Sequence, residues 1–256
     1  MDFISFSIIC VKVLIVFAVT MLTVLIMIYA ERRVSAFMQG RLGPNRVGPQ
    51  GLLQPIADGI KFLMKEDIIP AGVDKPVYLL APAMLLIPAL MTFAVIPFGA
   101  SITLFERNIP LQVADINVGI LYILALTSIG VYGLVLAGWS SNSKYPLIGG
   151  LRSSAQLISY ELAMGLAIVS IVLLAGSLRL NDIIANQQGY FFSWNICKQP
   201  LAFLIFLIAI YAETNRLPFD LTEAEQELVG GYHTEYSSMK FAMFFMAEYA
   251  NMITGA

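Results

Sequence analysis

Six stretches of this 256-residue sequence run for about twenty residues with almost no charge, and that pattern constrains the chain more than anything else in it. A helix needs about 20 apolar residues to cross the hydrocarbon core of a bilayer. Lipid offers no hydrogen bonds, so a spanning backbone must satisfy its own N–H and C=O groups, as a helix does. The segments lie at about 8–30, 77–98, 117–138, 154–176, 192–212 and 239–256; the third carries no charge from Val118 through Val135. Apolar residues make up 58% of the chain, against roughly 45–50% in soluble domains. The expected fold is therefore an all-α integral membrane protein, a single domain built as a bundle of about six transmembrane helices. The first run has no basic stretch or small-residue cleavage site before it, so it is expected to be a retained helix.

Charge placement orients the bundle. With the N-terminus outside, the linkers 31–76, 139–153 and 213–238 fall on the cytoplasmic side. Their flanks then hold eleven lysines and arginines against four outside (Lys12, Arg107, Arg179 and Lys198). That asymmetry follows the positive-inside rule. The overall balance of 15 basic and 17 acidic residues lacks the basic surface that nucleic acid requires. Cys10 and Cys197 are too few for a disulfide framework or a thiolate metal site, and His233 is the single histidine. The chain cannot furnish paired imidazoles to a haem or four cysteines to an iron–sulfur cluster. Electrons must arrive from another subunit.

After the first span, Arg41-Leu-Gly-Pro-Asn-Arg-Val-Gly-Pro-Gln-Gly strings together residues that break helices and set turns. Leu53, Ile56, Ile60, Leu63 and Met64 then recur at helical spacing, with Gln54, Asp58, Lys61 and Lys65 off that stripe. This pattern predicts a short amphipathic helix over about 52–66, lying along the cytoplasmic interface.

Three carboxylates sit in or at the end of apolar helices. Glu161 lies in Ser-Tyr-Glu-Leu-Ala-Met-Gly, Glu248 in Met-Ala-Glu-Tyr-Ala-Asn, and Glu213 where the fifth helix meets the cytoplasmic face. An ionised carboxylate in lipid costs several kcal/mol, so each should face protein, water or a partner. Burial disfavours the charged form of a carboxyl group, which suits such a residue to exchange protons near neutral pH. A structural hydrogen bond to a neighbouring helix is the plainer alternative for any one of them. Three acids on different helices point to an ion pathway. Asp115 is weaker support, because helix N-termini favour acids.

The densest charge lies between Glu213 and Leu228, where Asp220, Glu223, Glu225 and Glu227 fall within eight residues. Thr222 and Glu225 fit a capping box, so an ordinary helix start would look similar. Against that, Glu223 and Glu227 stand at i and i+4, where like charges repel unless cations or protons intervene. Arg216 is the nearest counter-charge. His233 is expected to be a loop hydrogen-bonder rather than a ligand, and no phosphate-cradling loop or nucleophile with its base appears.

The motifs Ala30-Glu-Arg-Arg, Gly40-Arg-Leu-Gly-Pro-Asn-Arg-Val-Gly-Pro-Gln-Gly, Ile158-Ser-Tyr-Glu, Ala212-Glu-Thr-Asn-Arg-Leu-Pro-Phe-Asp-Leu-Thr-Glu-Ala-Glu-Gln-Glu-Leu, Gly231-Tyr-His-Thr-Glu-Tyr and Ala247-Glu-Tyr are long and specific. Through them the sequence resembles the quinone-chamber membrane subunit of respiratory complex I, over essentially its whole length.

The resemblance implies a tilted bundle forming the membrane-side wall of a quinone cavity, roofed by peripheral subunits that deliver electrons through iron–sulfur clusters. Quinone would be the substrate at that interface, with no flavin, haem or cluster held by this chain. By the same resemblance, Glu31, Arg32, Asp58, Lys61 and Arg216 lie near the cavity. Glu161, Glu213, Asp220, Glu223, Glu225, Glu227 and Glu248 match an acidic file running toward antiporter-like subunits. The implied location is an inner membrane, bacterial in preference to mitochondrial. Members of that family continue with two further spans, eight in all, so these residues are expected to be a shorter piece. An ion-translocating anchor of a membrane-bound hydrogenase and an autonomous secondary transporter remain as alternatives. The latter calls for an inverted repeat, which is not visible here.

Overall fold

A computed structural model describes residues 3–104, 107–216, 218–220 and 229–256. It shows an all-α membrane protein with one small sheet among the described residues. Helix α1 (Phe3–Met38) is followed by α2 (Gln54–Met64) and α3 (Lys75–Met91), a hairpin of β1 (Ser101–Leu104) and β2 (Arg107–Pro110), then α4 (Gly119–Ser140) and α5 (Lys144–Ala175). Short helices α6 (Leu180–Ala185) and α7 (Asn195–Lys198) lead into α8 (Pro200–Glu213), and α9 (Ser238–Gly255) closes the described chain. Among the described residues four stretches are long and apolar enough to cross a membrane: Phe6–Met38, Lys75–Ala94, Gly119–Ser140 and Lys144–Ala175.

The differences from the expected segments have local causes. α1 runs eight residues past position 30, because Glu31, Arg32 and Arg33 continue the helix beyond the apolar run instead of ending it. α5 starts at Lys144, ten residues before its apolar core, and stops at Gly176, whose left-handed backbone (φ 68°) caps it. The fifth segment becomes a 14-residue helix that starts at Pro200, whose ring presets the first turn. The aromatic residues before it form a 3-10 turn at Phe191–Ser193 and α7 instead. The hairpin, with Ile102 opposite Ile109 and Ser101 opposite Pro110, was not expected from the apolar runs.

Small residues let the helices approach. A β-carbon on Gly133 of α4 would come within 3.0 Å of the Ala81 carbonyl of α3, and one on Gly138 within 2.5 Å of the Pro146 carbonyl of α5. Without a hydrophobic drive between helices in lipid, such close backbone packing holds a bundle together. The core gathers Tyr78, Ala81, Leu85 and Phe93 of α3, Leu134 and Ala137 of α4, Leu157 of α5, and Phe244, Ala247 and Ala250 of α9. Tyr78 stacks on Tyr236 at 4.1 Å between ring centroids. α1 lies at the periphery, burying Thr20, Val24 and Ala36 while most of its apolar residues face outward.

The loops segregate to two ends. At one, Lys12 donates to the Gln112 carbonyl (3.1 Å), Asn181 donates to the Gln112 side chain (2.9 Å), and Arg179 pairs with Asp115. At the other, the Asp74 amide donates to the Ser140 carbonyl (3.2 Å), and Ser238 donates to the Phe62 carbonyl (2.8 Å), seating α2 against α9. On α2 the residues Ile56, Ile60, Leu63 and Met64 are exposed, an apolar face free to rest on lipid.

Candidate functional site

At the end where α1, α2 and α9 meet, three consecutive residues of α1 reach three different partners. Successive helical side chains diverge by about 100°, so Glu31, Arg32 and Arg33 cannot share one. Arg32 pairs with Asp58 of α2, which also accepts from Lys61 (3.2 Å) and Gln54 (3.1 Å). Burial by itself would raise the Asp58 carboxyl, but the hydrogen bonds from Arg32, Lys61 and Gln54 outweigh it and hold Asp58 below the usual carboxylate value. Arg33 donates to the Gln50 carbonyl (3.1 Å) and to Tyr29, tying α1 to the turn before α2. In that turn Gly51 adopts φ 78°, where a β-carbon would collide with the Pro44 carbonyl.

Glu31 turns the other way. One carboxylate oxygen accepts from Arg216 (2.7 Å) and the other from the Tyr249 hydroxyl of α9 (2.5 Å). Arg216 also lies over the Tyr249 ring, 5.0 Å from its centroid. Its position depends on the turn leaving α8: Asn215 takes a left-handed backbone (φ 49°), and Gln156 of α5 donates to the carbonyls of Ala212 (3.0 Å) and Phe219 (2.9 Å) on either side. Burial works against the Arg216 charge, but Tyr249 and Glu31 more than compensate, and its pKa stays above the ordinary value. Its Nε and Nη2 atoms are buried without a hydrogen-bond partner among the described residues. Such a guanidinium has donors to offer a ligand or water.

One residue before Tyr249 on α9, Glu248 is buried and accepts from the Tyr232 hydroxyl at 2.7 Å. Glu161 of α5 accepts from Ser128 of α4. Glu161, Glu213 and Glu248, from three helices, line one cavity of about 30 Å³ with Asn215, Tyr232 and Asn251. That is room for a water molecule or two in a polar setting. Glu213 and Glu161 feel each other's charge, and Glu248 lies within electrostatic reach of Arg216, Asp220 and Glu31. A larger, mostly apolar cavity of about 220 Å³ adjoins it through Thr127, Glu213 and Asn251. The arrangement links the paired charges of α1 and α2 to the bundle interior through groups that all carry exchangeable protons.

The structure thus brings Glu31, Arg32, Asp58, Lys61 and Arg216 into two adjoining ion-pair clusters, and Glu161, Glu213 and Glu248 into one cavity. Asp220 follows Phe219 on the clamped turn, one of its oxygens buried without a partner among the described residues. Glu223, Glu225 and Glu227 lie outside the described residues. Tyr232, Tyr249, Ser128 and Gln156 are structural partners that the search for charges missed. Tyr249 had a signal, standing beside an intramembrane acid in Ala247-Glu-Tyr; the others contact acids or turns far away in sequence. His233 corrects the expectation of a loop hydrogen-bonder. It is buried against the rings of Tyr232, Phe241 and Phe245, its Nδ1 has no partner among the described residues, and burial pushes its pKa down to about 4. Asp115 is held below the usual carboxylate value by Arg179, as an ion pair at the opposite end.

Fold and site together define an α-helical membrane protein with an acid-lined interior opening toward a cluster of paired charges. A family model described as NADH dehydrogenase matches residues 11–256. Among curated relatives, an NADH-quinone oxidoreductase subunit of Geobacter metallireducens is 61% identical over 242 residues, which covers 94% of this chain and 73% of that protein. The subunit of the same name from Geobacter sulfurreducens is 60% identical with the same coverage, and one from Koribacter versatilis is 55% identical over 258 residues, covering 96% of this chain and 73% of its own. The chain belongs to the NADH dehydrogenase family.

Proposed function

We propose that this chain is the membrane subunit of a bacterial NADH-quinone oxidoreductase that walls the quinone cavity and relays the charge change of quinone reduction into the membrane. The single observation that carries the relay is the shared cavity of Glu161, Glu213 and Glu248, joined through neighbouring Glu248 and Tyr249 to Glu31 and Arg216. The cluster of Glu31, Arg32, Asp58, Lys61 and Arg216 is the cavity side of the machine. Its unpartnered Arg216 nitrogens suit a quinone carbonyl or the water that hydrates it. When reduction draws protons there, the charge on Glu31 and Arg216 shifts. In a low-dielectric interior that shift is felt by Glu248 and then by Glu213 and Glu161. Moving one charge through 100 mV takes about 2.3 kcal/mol, within reach of such coupling. Electrons come from partner subunits carrying iron–sulfur clusters, and the antiporter-like subunits receive the relayed charge in the inner membrane.

The test is Glu248→Gln in the assembled complex, since glutamine keeps an acceptor for Tyr232 and loses the titrating group. Proton translocation driven by NADH oxidation should fall by about tenfold or more. Full translocation per electron in Glu248→Gln and in Glu213→Gln would overturn the relay.

A further inference from the structure

Helix α8 is too short for the membrane it stands in. Its 14 residues, Pro200–Glu213, rise about 21 Å at 1.5 Å each, whereas the hydrocarbon core measures about 30 Å. The sequence before it is no ordinary polar loop. Between Asp182 and Glu213 the single charged residue is Lys198, and Tyr190, Phe191, Phe192 and Trp194 fall within five residues. These rings are 88%, 60%, 81% and 49% exposed, a degree of apolar exposure that water would penalise by a few kcal/mol.

The four side chains are also held as a unit. Phe191 meets Phe192 edge-on at 5.9 Å and Trp194 at 5.3 Å. The backbone beneath them is internally satisfied: the Ser193 amide donates to the Tyr190 carbonyl (2.8 Å), the Trp194 amide to the Phe191 carbonyl (3.1 Å), and the Asn195 amide to the Gln187 side chain (3.1 Å). A turn with its own hydrogen bonds made can enter the headgroup region without stranding polar groups. Tyrosine and tryptophan rings favour that depth, and a lysine can extend its amine from there to water.

We infer that Tyr190–Trp194 is a lipid-binding anchor, seated in the membrane interface at the end of the bundle opposite the paired charges, and that it completes the crossing that α8 leaves short. Its ligand is the headgroup and upper acyl region of the outer leaflet. Phe191 and Phe192 point to the acyl chains, Tyr190 and Trp194 lie at the glycerol level, and Lys198 reaches the phosphates.

The experiment uses the full chain assembled in cell membranes, with Cys10 and Cys197 changed to serine and single cysteines placed in turn at Gln188, Phe191 and Phe192. A water-soluble maleimide should label Phe191→Cys and Phe192→Cys about tenfold more slowly than Gln188→Cys, while a membrane-permeant maleimide labels all three at similar rates. Equal labelling by the water-soluble reagent would overturn the anchor by showing that the segment stands in water. Protection from both reagents would overturn it in favour of a covering protein. As a second measurement, Trp139→Phe leaves Trp194 as the sole tryptophan of the purified full chain. In phosphatidylcholine vesicles, lipids brominated near the headgroup should quench its fluorescence more than lipids brominated near the chain ends. No quenching by either would also overturn the anchor. Neither measurement depends on the proposed relay.

Discussion

The two ends of the bundle each hold an arginine paired with a carboxylate, and they use the pair in opposite ways. Arg179 and Asp115 meet at the surface, with side chains 40% and 31% exposed, and the pair leads nowhere. It fastens the start of α4 to the turn before α6. Arg216 and Glu31 meet where a tyrosine hydroxyl, a second arginine–carboxylate pair and a buried acid all converge. There the guanidinium keeps unpartnered nitrogens turned inward. The same chemistry is a fastening at one end and a junction at the other, and the difference is made by what lies one contact further on.

The sharpest way to break that contrast is to truncate each arginine. Removing one partner of a buried, hydrogen-bonded charge pair costs about 2–5 kcal/mol. Arg216→Ala should therefore lower quinone-reductase turnover by about thirtyfold or more in complexes that still assemble, and turnover assays on purified complex would show it. Acid should separate the ends next. His233, packed beside the junction, has a native pKa of about 4 against its ordinary 6.5. The unfolded chain then binds more protons than the native one between those values, so stability falls as pH drops through that window. At most about 3 kcal/mol is involved, since each unit is worth about 1.4 kcal/mol. Thermal melts from pH 7 to pH 4 should flatten in His233→Phe.

A smaller effect is expected from Asp58→Asn. The depressed pKa of Asp58 means that its contribution is present above the ordinary carboxylate value and is lost as pH falls through the native one. The substitution should reduce turnover severalfold, by about 1 kcal/mol, and blunt the loss below pH 4. Least of all should follow from Arg179→Ala. An exposed pair screened by salt contributes little, so turnover should stay within about twofold of the unaltered chain. A large loss there would erase the contrast between the ends.

Much of this was legible in the sequence, for physical reasons that also mark where legibility stopped. Apolar runs revealed α1, α3, α4 and the cores of α5 and α9, because lipid demands both length and hydropathy. The spacing of Ile56, Ile60, Leu63 and Met64 revealed α2. Glu161, Glu213 and Glu248 stood out because charge is costly there, and the structure gathers them. What stayed hidden was conformation within apolar sequence. Phe191, Phe192 and Trp194 count toward hydropathy whether they sit on a helix or on a turn, so the start of α8 at Pro200 was misplaced. The hydroxyls of Tyr232 and Ser128 were silent as well, since their acidic partners lie 16 and 33 residues away and only the tertiary fold joins them.

The contact between Gly149 of α5 and Gly231 has a wider meaning. A β-carbon on Gly149 would sit 2.7 Å from the backbone of Gly231, whose own φ is 67°. Main chain therefore rests on main chain directly before Tyr232, as a fixed stop rests against a slide. The lining of the acid cavity can be retuned residue by residue while the tyrosine that addresses Glu248 keeps its place. Variation in this part of the molecule should then be free in the side chains facing the cavity and forbidden at these two glycines.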